Sequence, residues 1–182
     1  MPFTKKDLPI TVDALKGFLA DDEGEALFAA ASESITLGPC LEVGSYCGKS
    51  TVYLGAACQQ KNGIVYAIDH HRGSEEHQLG EEYHDSDLFD AQAQLMDTFK
   101  EFRRVMREAK LEDTVIPIVA ASKLASTNWS TPLGMVFIDG GHSLDAAMAD
   151  YRAWATHVSV GGILAIHDIF PDPTQGGQAP YT

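Results

Sequence analysis

The chain has 182 residues, 45% of them apolar, and a formal net charge of −13 from 26 acidic against 13 basic side chains. That suffices for a single domain, residues 1–182, with a buried core, while the acidic surplus argues against nucleic acid and anionic membrane surfaces and leaves a small molecule as the expected partner. No apolar run is long enough to span a bilayer, no signal-peptide pattern opens the sequence, and Cys40, Cys47 and Cys58 form no C-x-x-C pair, so a reducing cytoplasm is the expected compartment.

In chain order, a first helix is expected from about Asp22, with Glu25 placed to complete a capping box and Leu27, Phe28 and Ala31 on its apolar face. Five short apolar runs then read as strands: Cys40 to Ser45, Ile64 to Asp69, Thr114 to Ala120, Met135 to Asp139 and Ile163 to Asp168. They lack strict polar alternation, so they look buried on both faces, as parallel strands are when helices cover the sheet. Val52 to Ala57 continues a helix after the first strand. Leu95, Phe99, Phe102, Met106 and Ala109 recur at helical spacing, with Arg103, Arg104, Arg107 and Lys110 on the solvated side. Ser143 should cap a further helix carrying Leu144, Ala147, Met148, Tyr151 and Trp154, which Gly161-Gly162 should stop. The stretch from His70 to Asp90 fits no element; its seven acidic residues and four histidines suit a lid over an acceptor or a solvated loop. An α/β fold follows.

Glu42-Val43-Gly44-Ser45-Tyr46-Cys47-Gly48-Lys49-Ser50 runs from the first strand through a glycine turn into a helix, the geometry of a nucleotide site. Tyr46 stands where G-x-G-x-x-G needs its second glycine, and Val43 where a Walker loop needs its first, so dinucleotide and phosphoryl-transfer loops are disfavoured. The fourth and fifth strand ends bring Asp139, His142, His167 and Asp168 to one carboxyl edge. Two carboxylates and an imidazole suit Mg²⁺ or Mn²⁺; alternatively His142 or His167 serves as general base.

The remaining pattern, E-x-G-x-x-x-G followed by Asp69 closing strand two, resembles the class I S-adenosylmethionine-dependent methyltransferases. The resemblance implies a Rossmann-like doubly wound parallel sheet in order 3-2-1-4-5. It also implies a cofactor site lined by Glu42, Gly44, Ser45, Gly48, Ser50, Asp69 and His70, with Asp69 accepting from the ribose hydroxyls and Ala121 and Ser122 beside the adenine. The strand-four and strand-five motifs look like the metal-dependent O-methyltransferases, which transfers metal ligation to Asp139, His167 and Asp168. The catechol-type members close strand five with Asp-Asn, where this chain has His167-Asp168. With Asp69 to Glu76, Tyr83-His84-Asp85, Phe137 to Ser143 and His167 to Pro173 added, the chain resembles bacterial sugar O-methyltransferases of the methylmannose type, which implies a sugar hydroxyl as acceptor. An NAD-dependent oxidoreductase and a non-catalytic S-adenosylmethionine- or nucleotide-binding module are the alternatives. Only Pro171 to Thr182 follow the fifth strand, so strands six and seven of the class are expected to be missing, through truncation or because a second copy pairs with the exposed fifth-strand edge.

Overall fold

Four consecutive buried residues, Cys40–Val43, form β1, which exposes neither face to water. β1 pairs in parallel with Val65–Asp69 (β2) on one side and Leu133–Ile138 (β6) on the other. Val115–Val119 (β5) extends the sheet beyond β2, and Val158–Ile166 (β7) extends it beyond β6, both in parallel. The computed structural model describes residues 3–74, 77–78, 80, 84–141 and 143–169. Within them the sheet runs β5-β2-β1-β6-β7, and Phe89–Asp90 (β3) with Leu95–Met96 (β4) forms a separate antiparallel hairpin.

This architecture is still Rossmann-like, but it corrects the expected sheet of order 3-2-1-4-5 lacking strands six and seven. Among the described residues the chain forms seven strands, and the sixth and seventh belong to the sheet. The difference starts in a turn. Asp90 accepts from the Gln92 and Ala93 N–H groups at 2.8 and 3.0 Å, and Gln94 adopts φ 57°, so the chain folds back before any helix begins. Leu95, read as the start of the helical stripe, is therefore a strand residue, and the helix opens at Phe99.

The helices cover both faces. Asp21–Ser34 (α1), Lys49–Gln60 (α2) and Phe99–Glu108 (α3) pack on one, where Phe28, Val52, Tyr53 and Phe102 meet Cys40, Ala67 and Phe137. Ser122–Ser126 (α4) and Leu144–Trp154 (α5) flank the other, with Trp154 against Leu41, Val43, Ile68 and Val136. Successive β1 residues thus enter opposite layers, which explains an apolar run without polar alternation. Burying a side chain the size of Trp154 or Phe102 contributes roughly 1.5–3 kcal/mol.

Two helix ends differ from expectation. Glu23, not Glu25, returns its carboxylate to the Ala20 N–H at 2.8 Å, while Glu25 accepts from the Lys5 N–H at 3.1 Å. Ser143 does cap α5, accepting from the Ala146 N–H, but Gly161 and Gly162 do not stop it; they lie within β7. Gly161 has φ 83°, and a Cβ on Gly162 would stand 2.6 Å from the Gly134 carbonyl oxygen, so this pair serves the irregular register between β6 and β7. No described helix is long and apolar enough to cross a membrane.

Candidate active site

The carboxyl ends of β1, β2, β6 and β7 are stitched together by backbone bonds that outlast the strands. Gly44 N–H donates to the Ile68 carbonyl at 2.9 Å, Asp139 N–H to Val43 at 2.8 Å and His167 N–H to Ile138 at 3.0 Å. Gly44 sits at φ 90°, and a Cβ there would lie 1.9 Å from the Asp139 carbonyl oxygen. Only glycine meets both demands. Beyond it the chain turns through Ser45, Tyr46 and Cys47, closed by the Gly48 N–H on the Ser45 carbonyl at 2.8 Å, with Tyr46 at φ 43°. Gly48 then caps α2, whose first-turn N–H groups open toward the turn. The Ser45 hydroxyl is buried without a hydrogen-bond partner.

Asp69, at the end of β2, is fastened to this turn. Its Oδ2 accepts from the Tyr46 N–H at 2.8 Å and its Oδ1 from the His71 N–H at 2.6 Å. Each carboxylate oxygen keeps acceptor capacity for a further donor. His71 turns inward with Nδ1 2.7 Å from the Thr98 hydroxyl, and burial pushes its pKa down, so the ring is neutral at physiological pH. Glu42 is wholly buried beneath the turn and accepts from the Ser50 hydroxyl at 2.5 Å and from the Thr51 hydroxyl. Desolvation raises its pKa to about 8 against the bonds from Ser50 and Thr51.

Across the same edge, β6 and β7 end in charge facing charge. His167 Nδ1 lies 3.2 Å from Asp139 Oδ1 and 3.3 Å from Asp168 Oδ1, and its Nε2 lies 3.2 Å from Glu23 Oε2. Asp139 first and then Asp168, the carboxylates that face its Nδ1, raise the pKa of His167 to about 11, so the ring is an imidazolium in this arrangement. One ligand atom from each of Asp139, His167 and Asp168 lies within 4.8 Å of the others, a spacing open to a cation.

A family model described as a methyltransferase domain matches residues 41–169, from β1 to the end of β7. The chain belongs to this family of class I S-adenosylmethionine-dependent methyltransferases. Solved structures of the same fold include the O-methyltransferase NovP, 18% identical with a TM-score of 0.66, which covers 85% of this chain and 67% of its own. The O-methyltransferase TomG from Streptomyces achromogenes, in complex with SAM and involved in tomaymycin synthesis, is 17% identical with a TM-score of 0.58, covering 90% of this chain and 68% of its own. Cofactor-bound Rv0187 from MTB is 14% identical with a TM-score of 0.58, covering 85% of this chain and 59% of its own. The chain thus spans about three fifths to two thirds of these proteins' lengths.

Most of the methyltransferase residues singled out from the sequence meet at one edge. Gly44, Ser45, Gly48 and Asp69 form the turn and its acid, while Asp139, His167 and Asp168 form the charged cluster beside it. His70 is exposed, its Nδ1 4.0 Å from Asp69. Glu42 and Ser50 are spent on each other below the turn. Ala121 caps α4 at the end of β5, and the Ser122 hydroxyl accepts from Trp154 Nε1 at 2.8 Å. His142 lies outside the described residues, as do Glu75, Glu76, Glu81, Glu82 and Tyr83 of the expected lid. The sequence reading missed Glu23, whose approach to His167 joins two ends of the chain that no local spacing relates. It also missed Tyr46 as the residue that holds Asp69; its place at the forbidden second-glycine position was the available signal.

Proposed function

We propose that this methyltransferase transfers the methyl group of S-adenosylmethionine to a hydroxyl oxygen of a small molecule, a sugar or glycoside in first instance. The observation that carries the reading is Asp69, whose two oxygens are each oriented by one backbone N–H and keep capacity for the two ribose hydroxyls. The unpartnered Ser45 hydroxyl and the glycine turn over α2 suit a polar ligand lying close to backbone. The reaction breaks a sulfur–carbon bond, forms an oxygen–carbon bond and releases the hydroxyl proton, leaving S-adenosylhomocysteine. Much of the rate comes from holding the acceptor oxygen in line with the methyl carbon, which rigid strand ends favour.

Asp139, His167 and Asp168 suit a hard to borderline divalent cation such as Mg²⁺ or Mn²⁺. Both His167 nitrogens are buried with no well-formed hydrogen bond and face carboxylates of matching hardness. A bound cation would supply Lewis-acid polarisation of the acceptor hydroxyl. In the metal-free arrangement His167, held as an imidazolium between the carboxylates, orients them, and Asp139 or Asp168 accepts the proton of the acceptor hydroxyl. Three buried thiols suit a reducing cytoplasm.

Calorimetric titration with S-adenosylmethionine and with NAD tests the donor, and S-adenosylhomocysteine release over a panel of hydroxylated acceptors tests the transfer. Tight binding of NAD without S-adenosylmethionine would sink the reading.

A further inference from the structure

Asp69 can serve two ribose hydroxyls only while both its oxygens stay in place, and one of them is held by a residue in an unusual conformation. The N–H that donates to Oδ1 at 2.6 Å belongs to His71, which sits at φ 56°, in the left-handed region that is uncommon for any residue but glycine. Such a backbone persists where its surroundings hold it. What surrounds His71 is reached through its own side chain.

The imidazole is buried against the start of α3, its centroid 4.9 Å from that of Phe99 and 5.4 Å from that of Phe102. Phe102 in turn backs the glycine turn, since a Cβ on Gly48 would stand 3.2 Å from its Cδ2. Thr98 binds His71 twice, through its hydroxyl, 2.7 Å from Nδ1, and through its N–H, which donates to the His71 carbonyl at 3.2 Å. That hydroxyl has been diverted from another task. Thr98 is the N-cap of α3, where a threonine oxygen ordinarily accepts from the first turn of its own helix, yet it makes no such bond. Asp97 accepts from the Phe99 N–H at 3.1 Å instead. Any residue but proline could supply the N–H and carbonyl of position 71. A hydrocarbon ring would fill the same space but would leave the buried Thr98 hydroxyl without this partner, so the bond to Thr98 is what the imidazole adds.

We propose that His71, locked by Thr98, is a positioning residue for the cofactor: its buried ring fixes the left-handed backbone that aims an N–H at Asp69, and so sets that carboxylate for the ribose. The inference rests on the methyl-transfer reading above and adds how the acid is kept in register. His71 and Thr98 act through Asp69, whose other oxygen is fixed independently by the Tyr46 N–H at 2.8 Å. Loosening the ring therefore frees one oxygen of two, and the expected result is a partial loss of ribose recognition.

The test measures, by calorimetry on the purified chain, the affinities for S-adenosylhomocysteine and for its analogue lacking both ribose hydroxyls. Wild type is expected to prefer the hydroxylated ligand by about tenfold or more. His71→Gly keeps the N–H and suits φ 56° but removes the ring, and Thr98→Val keeps the shape and the N–H but removes the hydroxyl. Each is expected to lower that preference by about threefold or more, and Thr98→Ser, which keeps a hydroxyl, is expected to restore it. A role in packing alone would weaken the two ligands alike. Equal loss for both ligands, wild-type preference in both variants, or a Thr98→Ser variant that behaves as Thr98→Val overturns the positioning role. If His71→Gly does not fold, the Thr98 pair decides. A wild-type chain that binds neither ligand overturns the methyl-transfer reading, and one that binds both alike overturns the ribose assignment of Asp69. Either result is read on wild type, which separates it from a failure seen only in the variants.

Discussion

The two halves of the candidate site share one sheet edge and are built on opposite principles. In the half formed by the ends of β1 and β2, polar groups are tied down locally: Asp69 by two backbone N–H groups, Glu42 by two hydroxyls, Gly48 by the Ser45 carbonyl. In the half formed by the ends of β6 and β7, side chains face one another instead, with His167 between Asp139, Asp168 and Glu23. Backbone bonds fix a geometry before any ligand arrives, whereas a ring of carboxylates around one imidazolium can rearrange around a cation or a proton. The first half is suited to recognising a constant cofactor, the second to chemistry.

The largest expected effect comes from breaking the contact between the halves. Gly44→Ala forces a Cβ to 1.9 Å from the Asp139 carbonyl oxygen at φ 90°, a backbone collision with no flexible side chain to yield. A stability loss of about 3 kcal/mol or more is expected in denaturant unfolding, with both halves lost together. Gly80→Ala is the control: φ is similar at 94°, but the added Cβ meets no described atom within 4 Å, so about 1–2 kcal/mol is expected. Equal losses in the two variants would mean that the close approach to Asp139 carries no weight.

The next effect separates the halves. Asp139→Ala should lower turnover by about a hundredfold while leaving S-adenosylmethionine affinity nearly intact, and excess chelator should do the same to wild type until Mg²⁺ or Mn²⁺ is restored. Full turnover in chelator would leave Asp139, His167 and Asp168 as a hydrogen-bonding and proton-accepting group without a cation.

How far the sequence reaches follows the same division. The glycine turn, Asp69 and the strand-end acids were legible because each lies within a few residues of a buried apolar run, and such runs end where ligands bind in parallel sheets. The β3–β4 hairpin was not, because one Asp90 side chain bonding two N–H groups decided it against a good helical stripe. Ser50 sat at a cofactor-like spacing, yet its hydroxyl turns inward to Glu42, since spacing along a helix start does not say which way a small side chain points. Glu23 beside His167 and Lys16 beside Asp85 join segments far apart in the chain, and pairing of that kind leaves no local pattern.

Within the fixed half, Asp69→Ala removes the acceptor for the Tyr46 and His71 N–H groups as well as the proposed acceptor for the ribose. Each charge-assisted bond is worth roughly 1.5–3 kcal/mol, so S-adenosylmethionine should bind at least about tenfold more weakly by calorimetry. Asp69→Asn sharpens the test, because an amide offers one oxygen where the carboxylate offers two; an affinity equal to wild type would remove the two-hydroxyl assignment.

Glu42 should have the smallest effect on turnover and the most specific signature. Its folded pKa of about 8 stands above the ordinary 4.5, so between those values the folded chain holds a proton that the unfolded chain has released. Unfolding then becomes easier as pH rises, by at most about 1.4 kcal/mol per pH unit from this group. The sign is opposite to that of a salt-bridged carboxylate, which gains stability over its own window as pH rises. Glu42→Gln keeps a neutral group between Ser50 and Thr51, so the variant should lose this slope while wild type retains it. The measurement is the difference between the two proteins' unfolding free energies at pH 5 and pH 8, which cancels the other titrating groups. Parallel curves would mean that Glu42 is ionised throughout. The two hydroxyls would then outweigh desolvation beneath the turn, and the fixed half of the site would rest on a buried anion instead of a buried acid.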